Sequence, residues 1–416
     1  MLLLAIVVSG AASCTENIEG GAACPSLCPN RLNDFRDTIV DVVVLDTSVG
    51  AFPSSGLNGL LLLANRGDTV QTSAIIRYDV LPTTFVPNNT SGADAVPITD
   101  LDSVWIRLTL DSTARSGTQP VLLEAFDVDT THSDSVTSVV QSLFRQDRLL
   151  GSVTITPSTL GDSLRVPLDK DRILDKVRNG ARLRVGLRFA SHGQIRIVSF
   201  GLGAGNAILS FDAKGDTIYS PIRTLPNTLL NGGTVEQALA YSIYPIVDRA
   251  TAQDGNGVLQ VGGFPATRSY LQFDLPQRFL DSTTIVRAEL LLTQVPAPFA
   301  RSTDSVFIEP LIPSSSNVVT DIRRLLDLAA AASFYGLDST RFLAADSGEK
   351  SINVIGIIRS WRFLSKTVPR AVGLRLVGEG QQATDVRFLS MEGATTPQQR
   401  PRLRITYLPR AEFALP

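Results

Sequence analysis

Residues 268–293 (RSYLQFDLPQRFLDSTTIVRAELLLT) contain the pattern that most constrains the fold of this chain. Apolar and polar side chains alternate over residues 270–275, and Ala288, Leu290 and Leu292 form a second apolar set at every other position. A period of two places all the apolar side chains of a segment on one face of a β-strand. The segment therefore predicts two neighbouring strands, joined by a short loop, that each turn one face towards a core.

The same order of features occurs twice along the chain, with copies roughly 180 to 200 residues apart. Asn58-Gly59, a tight-turn signal, corresponds to Asn256-Gly257, and the helical spacing that opens at Val136 corresponds to the one after Val319. The matched segments are, in order, 58–59 and 256–257, 78–79 and 273–274, 106–108 and 288–290, 136–139 and 319–322, 166–177 and 352–363, 186–189 and 373–376, and 195–199 and 386–390. This shared order predicts a tandem duplication.

Length and composition indicate the fold class. The 416 residues suffice for two domains with separate cores, and β-branched runs are separated by Gly, Pro, Asn and Asp. We predict an all-β protein of two tandem antiparallel β-sandwich (jelly-roll-like) domains with short connecting helices. The predicted division is a signal peptide at 1–13, a tether at 14–33, a first sandwich at 34–219, a linker at 220–233, a second sandwich at 234–410 and a tail at 411–416.

The N-terminus predicts export. Residues 1–13 are a short apolar run that ends in small residues, too short to span a bilayer, as in a secretory signal. Small residues directly before Cys14 resemble the bacterial lipobox, so we expect lipidation of Cys14 and attachment to a lipid bilayer. Ordinary cleavage after Ser13 is the alternative. Thr15, in place of an Asp, favours the outer membrane or cell surface over the inner membrane.

Cys24 and Cys28 lie in the predicted tether. An exported protein meets an oxidising compartment, so a local disulfide between them is the favoured interpretation. Two reduced thiols in a loop are the alternative. A zinc site is disfavoured because two thiolates without a nearby His leave the metal shell half empty.

The second half also carries the motifs of a known family. They are residues 268–275 (RSYLQFDL), 288–292 (AELLL), 319–322 (VTDI), 358–361 (IRSW), 373–376 (GLRL) and 400–407 (RPRLRITY). Over about 170 residues this half resembles the DNRLRE-domain family, which overlaps the carbohydrate-binding modules of β-sandwich, jelly-roll type. The first half matches more loosely, because it lacks the Trp and the closing Arg-Pro. The resemblance implies a sandwich with a core Trp at Trp361, and sugar binding.

Candidate binding residues lie on one strand face. Trp105, Arg107 and Thr109 alternate with an apolar set, so an exposed face would offer an indole ring for stacking, a guanidinium group and a hydroxyl group. An acidic sugar would also pair with Arg107. The alternative is that Trp105 packs beneath a loop or a neighbouring domain. Tyr270 is a similar but weaker candidate.

Other polar residues suggest little chemistry. Asp127 and Asp129 could supply oxygens to a structural calcium ion, and the alternative is a strand edge protected by its charges. No other cofactor is expected. His132 and His192 are scattered in polar contexts and predict exposed bystanders rather than a catalytic triad or a zinc site.

These features together predict a non-catalytic cell-envelope or surface protein that binds polysaccharide. The alternatives are a structural or adhesive protein that binds other proteins and, less favoured, a polysaccharide hydrolase or lyase. No pair of carboxylates can be nominated as the acid and base that hydrolysis needs. The formal net charge of -2 gives no basic field for nucleic acid.

Overall fold

The structure is a computed structural model. It describes residues 35–52, 59–67, 70–111, 120–134, 136–156, 161–198, 207–227, 242–249, 255, 257–298, 300, 302, 304–313, 321–332, 338–365 and 367–409. The predicted signal peptide, the tether with Cys14, Cys24 and Cys28, and the tail at 411–416 lie outside the described residues.

The chain is mostly β-structure, with antiparallel sheets and a few short helices, so the predicted all-β sandwich class is confirmed. The strands are β1 (Arg36–Val40), β2 (Val43–Phe52), β3 (Leu60–Asn65), β4 (Gln71–Tyr78), β5 (Thr84–Phe85), β6 (Val96–Pro97), β7 (Leu101–Thr109), β8 (Val121–Asp127), β9 (Leu149–Ile155), β10 (Ser163–Leu168), β11 (Leu183–Phe189), β12 (Gly193–Val198), β13 (Ile208–Ala213), β14 (Ile222–Thr224), β15 (Ile243–Arg249), β16 (Val258–Gly262), β17 (Ala266–Phe273), β18 (Thr283–Val295), β19 (Ser305–Leu311), β20 (Thr340–Leu343), β21 (Gly348–Asn353), β22 (Arg370–Leu376), β23 (Asp385–Leu389) and β24 (Arg402–Pro409). The helices are α1 (Thr137–Ser142), α2 (Lys170–Arg178), α3 (Gln277–Asp281), α4 (Ile322–Ala332) and α5 (Ile355–Ser360).

The first sandwich has two facing sheets. One runs β12-β3-β4-β11-β8-β9, with β15 also paired to β4, and the other runs β10-β7-β13-β14. Side chains that alternate along these strands meet between the sheets because successive residues of a strand point to opposite faces. The predicted interior residues Ile76, Tyr78, Ile106 and Leu108 all lie in this core and are fully buried.

The second sandwich is built in the same way. One sheet runs β1-β24-β18-β23-β16, with β21 on β18, and the other runs β2-β17-β22-β19-β20. A single register pair, Gly262 with Thr267, links β16 to β17 across the two sheets. Phe273 and Trp361 pack together in its core, with ring centroids 5.3 Å apart, so Trp361 is a core residue as predicted.

Six strand pairings of the first sandwich have counterparts in the second, as the sequence repeat predicts. The pairs β3–β12, β4–β11, β8–β11, β8–β9, β7–β10 and β7–β13 correspond to β16–β23, β17–β22, β19–β22, β19–β20, β18–β21 and β18–β24. The matched turn glycines Gly59 and Gly257 both have positive φ, 73° and 114°, a conformation that glycine adopts without strain.

The two strands that open each repeat pair with the sandwich formed by the other repeat. β1 and β2 pair with β24 and β17 of the second sandwich, whereas β14 and β15 pair with β13 and β4 of the first. The predicted domain boundaries therefore do not follow the strand pairing at these four strands. Part of the predicted linker is itself β14, because its residues complete the edge of the β7 sheet.

Candidate functional site

The predicted binding strand, β7, lies inside the four-stranded sheet β10-β7-β13-β14. Val104, Ile106 and Leu108 point into the core, so the residues between them point away from it. Cross-strand register extends this outward surface over the neighbouring strands. We call it the outer face of the β7 sheet; it comprises Ser103, Trp105, Arg107 and Thr109 of β7, Ser163, Arg165 and Pro167 of β10, Ile208, Ser210 and Asp212 of β13, and Arg223 of β14.

Trp105 points to this outer face but is covered, and only 6% of it is exposed. The guanidinium carbon of Arg165 lies 3.7 Å from the centroid of the Trp105 indole. The ring of Tyr219 lies parallel to the indole within 6°, with centroids 6.4 Å apart. The prediction that Trp105 is itself an open stacking surface is therefore wrong, because Arg165 and Tyr219 cover its indole.

Tyr219 supplies the exposed aromatic ring that the sequence pattern assigns to Trp105. It is 72% exposed and stands in the segment that leads into β14. Sequence reasoning misses it because the predicted first sandwich ends at residue 219. The signal available is an aromatic residue directly before Ser220-Pro221, in a polar turn where a core residue is not expected.

Arginines surround this aromatic pair, Trp105 and Tyr219. Arg107 and Arg165 lie directly opposite each other on β7 and β10, and Arg223 lies opposite Ser210 on the far side of β13. All three arginines are exposed. Among the residues that the structure describes, no carboxylate forms an ion pair with any of them.

Hydroxyl groups complete the surface. Thr109 is half-buried and lies opposite Ser163, one row beyond the two arginines. Asp212 is half-buried and accepts a 2.7 Å hydrogen bond from the hydroxyl of Ser103. Arg107 and Thr109 thus occupy the outer face as predicted, and together with Tyr219 they offer a ring, cations and hydroxyl groups to a ligand.

Tyr270 does not belong to this face. It is fully buried in the second sandwich, where it packs with Leu325, Leu326 and Ala371 beneath α4. Burial raises the pKa of its phenol. The prediction that Tyr270 offers a weaker binding surface is wrong, because α4 covers the outward side of β17.

The calcium candidates are held in ion pairs. Asp129 lies 2.8 Å from Arg182 and 3.5 Å from Lys176, and Asp127 lies 3.3 Å from Lys176. Each carboxylate is therefore neutralised by side chains rather than left open to a cation. In the described part of the chain, no group of three or more His, Cys, Asp or Glu side chains is placed to hold a metal ion. His132 and His192 are both exposed, as expected.

A second group of charges is entirely buried. Arg77 and Arg184 both contact Asp134, and the hydroxyl of Tyr244 donates a 3.1 Å hydrogen bond to the same carboxylate. The guanidinium of Arg77 lies 4.9 Å from the Tyr244 ring centroid. Burial lowers the pKa of Arg77 and raises the pKa of Tyr244. All four residues are closed to solvent, so this cluster holds the fold together and offers no surface to a ligand.

Two depressions lie on the second sandwich. An open one of about 540 Å³ follows the end of β17 and is lined by Gln272, Gln277 and Arg370 among others, but its one aromatic residue, Phe273, is buried. A smaller one of about 180 Å³ is lined by Asp46, Ser48 and Glu392. Neither combines an exposed ring with free cations as the outer face of the β7 sheet does.

Comparisons with known proteins give weak matches. No family model matches the chain, and no curated protein matches it. Among solved structures, the chain is similar to the N-terminal CBM22-1-CBM22-2 tandem domain of Paenibacillus barcinonensis Xyn10C, with 9% identity over 88% of this chain and 97% of that chain and a TM-score of 0.14. It is also similar to a chain of Broad Bean Stain Virus, with 10% identity over 83% and 90% of the two chains and a TM-score of 0.14. TM-scores this low carry no argument about function.

In the described residues, no helix is long and apolar enough to cross a membrane.

Proposed function

We propose that this protein is a non-catalytic polysaccharide-binding protein of the cell envelope, and that it binds through the outer face of the β7 sheet. The observation that carries this proposal is the ring of Tyr219, 72% exposed and parallel to the indole of Trp105. A pyranose ring presents an apolar face that stacks on an aromatic ring, while its hydroxyl groups bond to polar side chains around it.

Trp105 acts in this proposal as a support for Tyr219. Its indole is fixed within the sheet, between Pro167 and Ser210 on the neighbouring strands. A ring that lies against a fixed partner loses less conformational freedom when a ligand binds, so more of the stacking energy appears as affinity. Ser163 and Thr109 offer hydroxyl groups at the edge of the same face.

The proposal includes export and anchoring through the N-terminus. It rests on the apolar run before Cys14, which resembles a lipobox. Two fatty chains on one site suffice for stable attachment where one does not. Replacing Cys14 with Ser should release the protein from the membrane fraction and abolish acyl-lipid labelling, and unchanged retention and labelling would contradict the anchor.

Affinity electrophoresis in gels that contain neutral or charged polysaccharide tests the binding function. We expect retardation of the wild type and its loss in Tyr219→Ala, because stacking on one aromatic ring contributes about 1–3 kcal/mol. Phe363→Ala is the matched control, because Phe363 is 85% exposed on the second sandwich, away from the β7 sheet. Both variants should keep the wild-type melting temperature.

Two outcomes would reject this function. Equal retardation of the wild type and the folded Tyr219→Ala variant would show that Tyr219 is not the stacking surface. Absence of retardation by every polysaccharide, together with capture of a surface protein, would favour the adhesive alternative.

A further inference from the structure

We propose that the polysaccharide bound by the outer face of the β7 sheet is acidic, and that Arg107, Arg165 and Arg223 recognise its carboxylate or sulfate groups. This inference rests on the proposed function and adds the chemical class of the ligand. It is carried by the placement of Arg107 directly opposite Arg165 on the neighbouring strand, with both side chains exposed on one face.

Like charges directly opposite each other on adjacent strands destabilise a sheet. Elsewhere in this protein, strand arginines meet carboxylates: Arg196 lies 2.8 Å from Asp111, Arg188 lies 3.1 Å from Glu124, and Arg268 lies 2.6 Å from Glu379. The pair on the β7 sheet departs from this pattern. The contact of Arg165 with the indole of Trp105 holds one guanidinium on this face but neutralises neither charge. An anionic ligand would remove the repulsion between Arg107 and Arg165 when it binds.

Arg223 extends the cationic surface across the sheet. It lies opposite Ser210, which in turn lies opposite Trp105, so one strand separates it from Trp105. Adjacent strands are about 4.8 Å apart, which places Arg223 about 10 Å across the sheet from the backbone of β7. The arginines therefore lie on both sides of Trp105 across the sheet, within reach of charged groups on successive sugars of one chain.

The balance of charge on this face also favours an anion. Among the described residues of the outer face of the β7 sheet, Asp212 is the one carboxylate, against three guanidinium groups. Asp212 already accepts a hydrogen bond from Ser103. A guanidinium group can give a carboxylate or sulfate two parallel hydrogen bonds, so it suits an acidic sugar better than a neutral one.

Binding should be measured with the full chain and four polymers: polygalacturonate for carboxylate, dextran sulfate for sulfate, dextran as the neutral polymer, and polyphosphate as a polyanion without sugar rings. We expect polygalacturonate or dextran sulfate, or both, to bind at least about tenfold more tightly than dextran at about 50 mM salt, and to weaken at about 500 mM salt. Which acidic polymer binds distinguishes carboxylate from sulfate recognition.

We expect each of the variants Arg107→Gln, Arg165→Gln and Arg223→Gln to weaken binding of the acidic polymer about fivefold, the effect of one exposed ion pair, and to weaken dextran binding less. Arg341→Gln is the matched control, because Arg341 is exposed on edge strand β20 of the second sandwich. In a Trp361→Phe background, the fluorescence of Trp105 reports binding directly, since Arg165 covers that indole.

Three results would overturn the inference: equal affinity for acidic polymers and dextran, unchanged acidic binding in all three arginine variants, or polyphosphate binding as tight as that of the acidic polysaccharides. The proposed function fails separately, when Tyr219→Ala leaves binding of every polysaccharide unchanged. A larger loss of acidic binding than of dextran binding in the arginine variants supports the inference.

Discussion

Tyr244 donates a hydrogen bond of 3.1 Å to Asp134, and both residues are buried in the first sandwich. Tyr244 lies on β15, which follows the predicted linker and belongs to the second repeat. The contact exists because β15 pairs with β4, where Tyr244 lies opposite Ile75. In the second sandwich, β2 of the first repeat pairs with β17, and Thr47 lies opposite Tyr270.

This exchange makes each sandwich depend on a segment from the other repeat. The first sandwich is completed by β14 and β15, and the second by β1 and β2. Residues of both halves also pack together in one apolar cluster, which comprises Leu62, Ala64, Val70, Phe264 and Ala383. We therefore expect the two sandwiches to stabilise each other rather than to behave as independent domains.

Tyr244→Phe should destabilise the first sandwich. The substitution removes a hydrogen bond to a buried carboxylate, which costs about 1–3 kcal/mol in the free energy of unfolding. The chain has two tryptophans, so Trp105 in a Trp361→Phe background reports the first sandwich and Trp361 in a Trp105→Phe background reports the second. Urea unfolding followed by the fluorescence of Trp105 should show this loss in the free energy of unfolding. A shift reported through Trp361 alone would contradict the exchange, and Tyr219→Phe, at an exposed phenol, is the control.

Removal of residues 35–52 should destabilise the second sandwich, although these residues open the first repeat. The deletion removes β1 and β2, and with them the burial of Val42 and Val43, which is worth about 3–6 kcal/mol. The thermal transition reported by Trp361 should fall further than that reported by Trp105. Addition of a peptide of residues 36–52 should restore it. A larger effect on Trp105 would show that these strands serve the first sandwich.

The sequence pattern predicts the fold class and the core side of the strands that carry Ile76, Ile106 and Phe273, because the period of a strand is a local property. On β4 and β17 the opposite side is buried as well, which alternation does not predict. The sequence pattern does not identify the neighbouring strand with which each strand pairs. β2 and β15 occupy the same place in the two repeats, so either could pair with β4 or β17, and only the fold decides.

The candidate site shows the same limit. Alternation correctly places Trp105 and Arg107 on the outer side of β7, but it contains no information about what covers that side. Arg165 and Tyr219 come from segments about 60 and about 114 residues away and shield the indole. The resemblance of the second half to the DNRLRE-domain family stays a prediction.

Phe273→Ala should cost about 3–5 kcal/mol in the free energy of unfolding of the second sandwich. Phe273 is 4% exposed and packs on Trp361, so truncation leaves a cavity that the surrounding strands cannot close. Phe307→Ala, on β19 of the same sheet, should change the stability by less than about 1 kcal/mol because Phe307 is 47% exposed. Chemical unfolding followed through Trp361 measures both. Similar losses in the two variants would show that packing against Trp361 is not the cause.

Asp385 should make the protein less stable as the pH rises from about 4 to about 7. Burial raises the pKa of its carboxyl from 3.8 to about 6, against hydrogen bonds from its own backbone N–H and from Gln260 and the attraction of Arg66. The folded state therefore holds a proton that the unfolded state has already released. The stability that this proton contributes is complete below about pH 4 and is lost as the pH passes through about 6.

Asp385→Asn should remove this dependence. Its stability relative to the wild type should increase by about 1–3 kcal/mol between about pH 4 and about pH 7, the upper value corresponding to the full shift in pKa. The guanidinium of Arg387, 2.7 Å from the carboxylate, favours the charged form and so reduces the effect below that value. Urea unfolding at several pH values measures the difference between the two proteins, which cancels the other titrating groups. Asp102→Asn, at an exposed carboxylate on β7, controls for the loss of one charge. A difference between wild type and Asp385→Asn that stays constant across this pH range, or that changes in the opposite direction, would show that burial does not hold this carboxyl protonated.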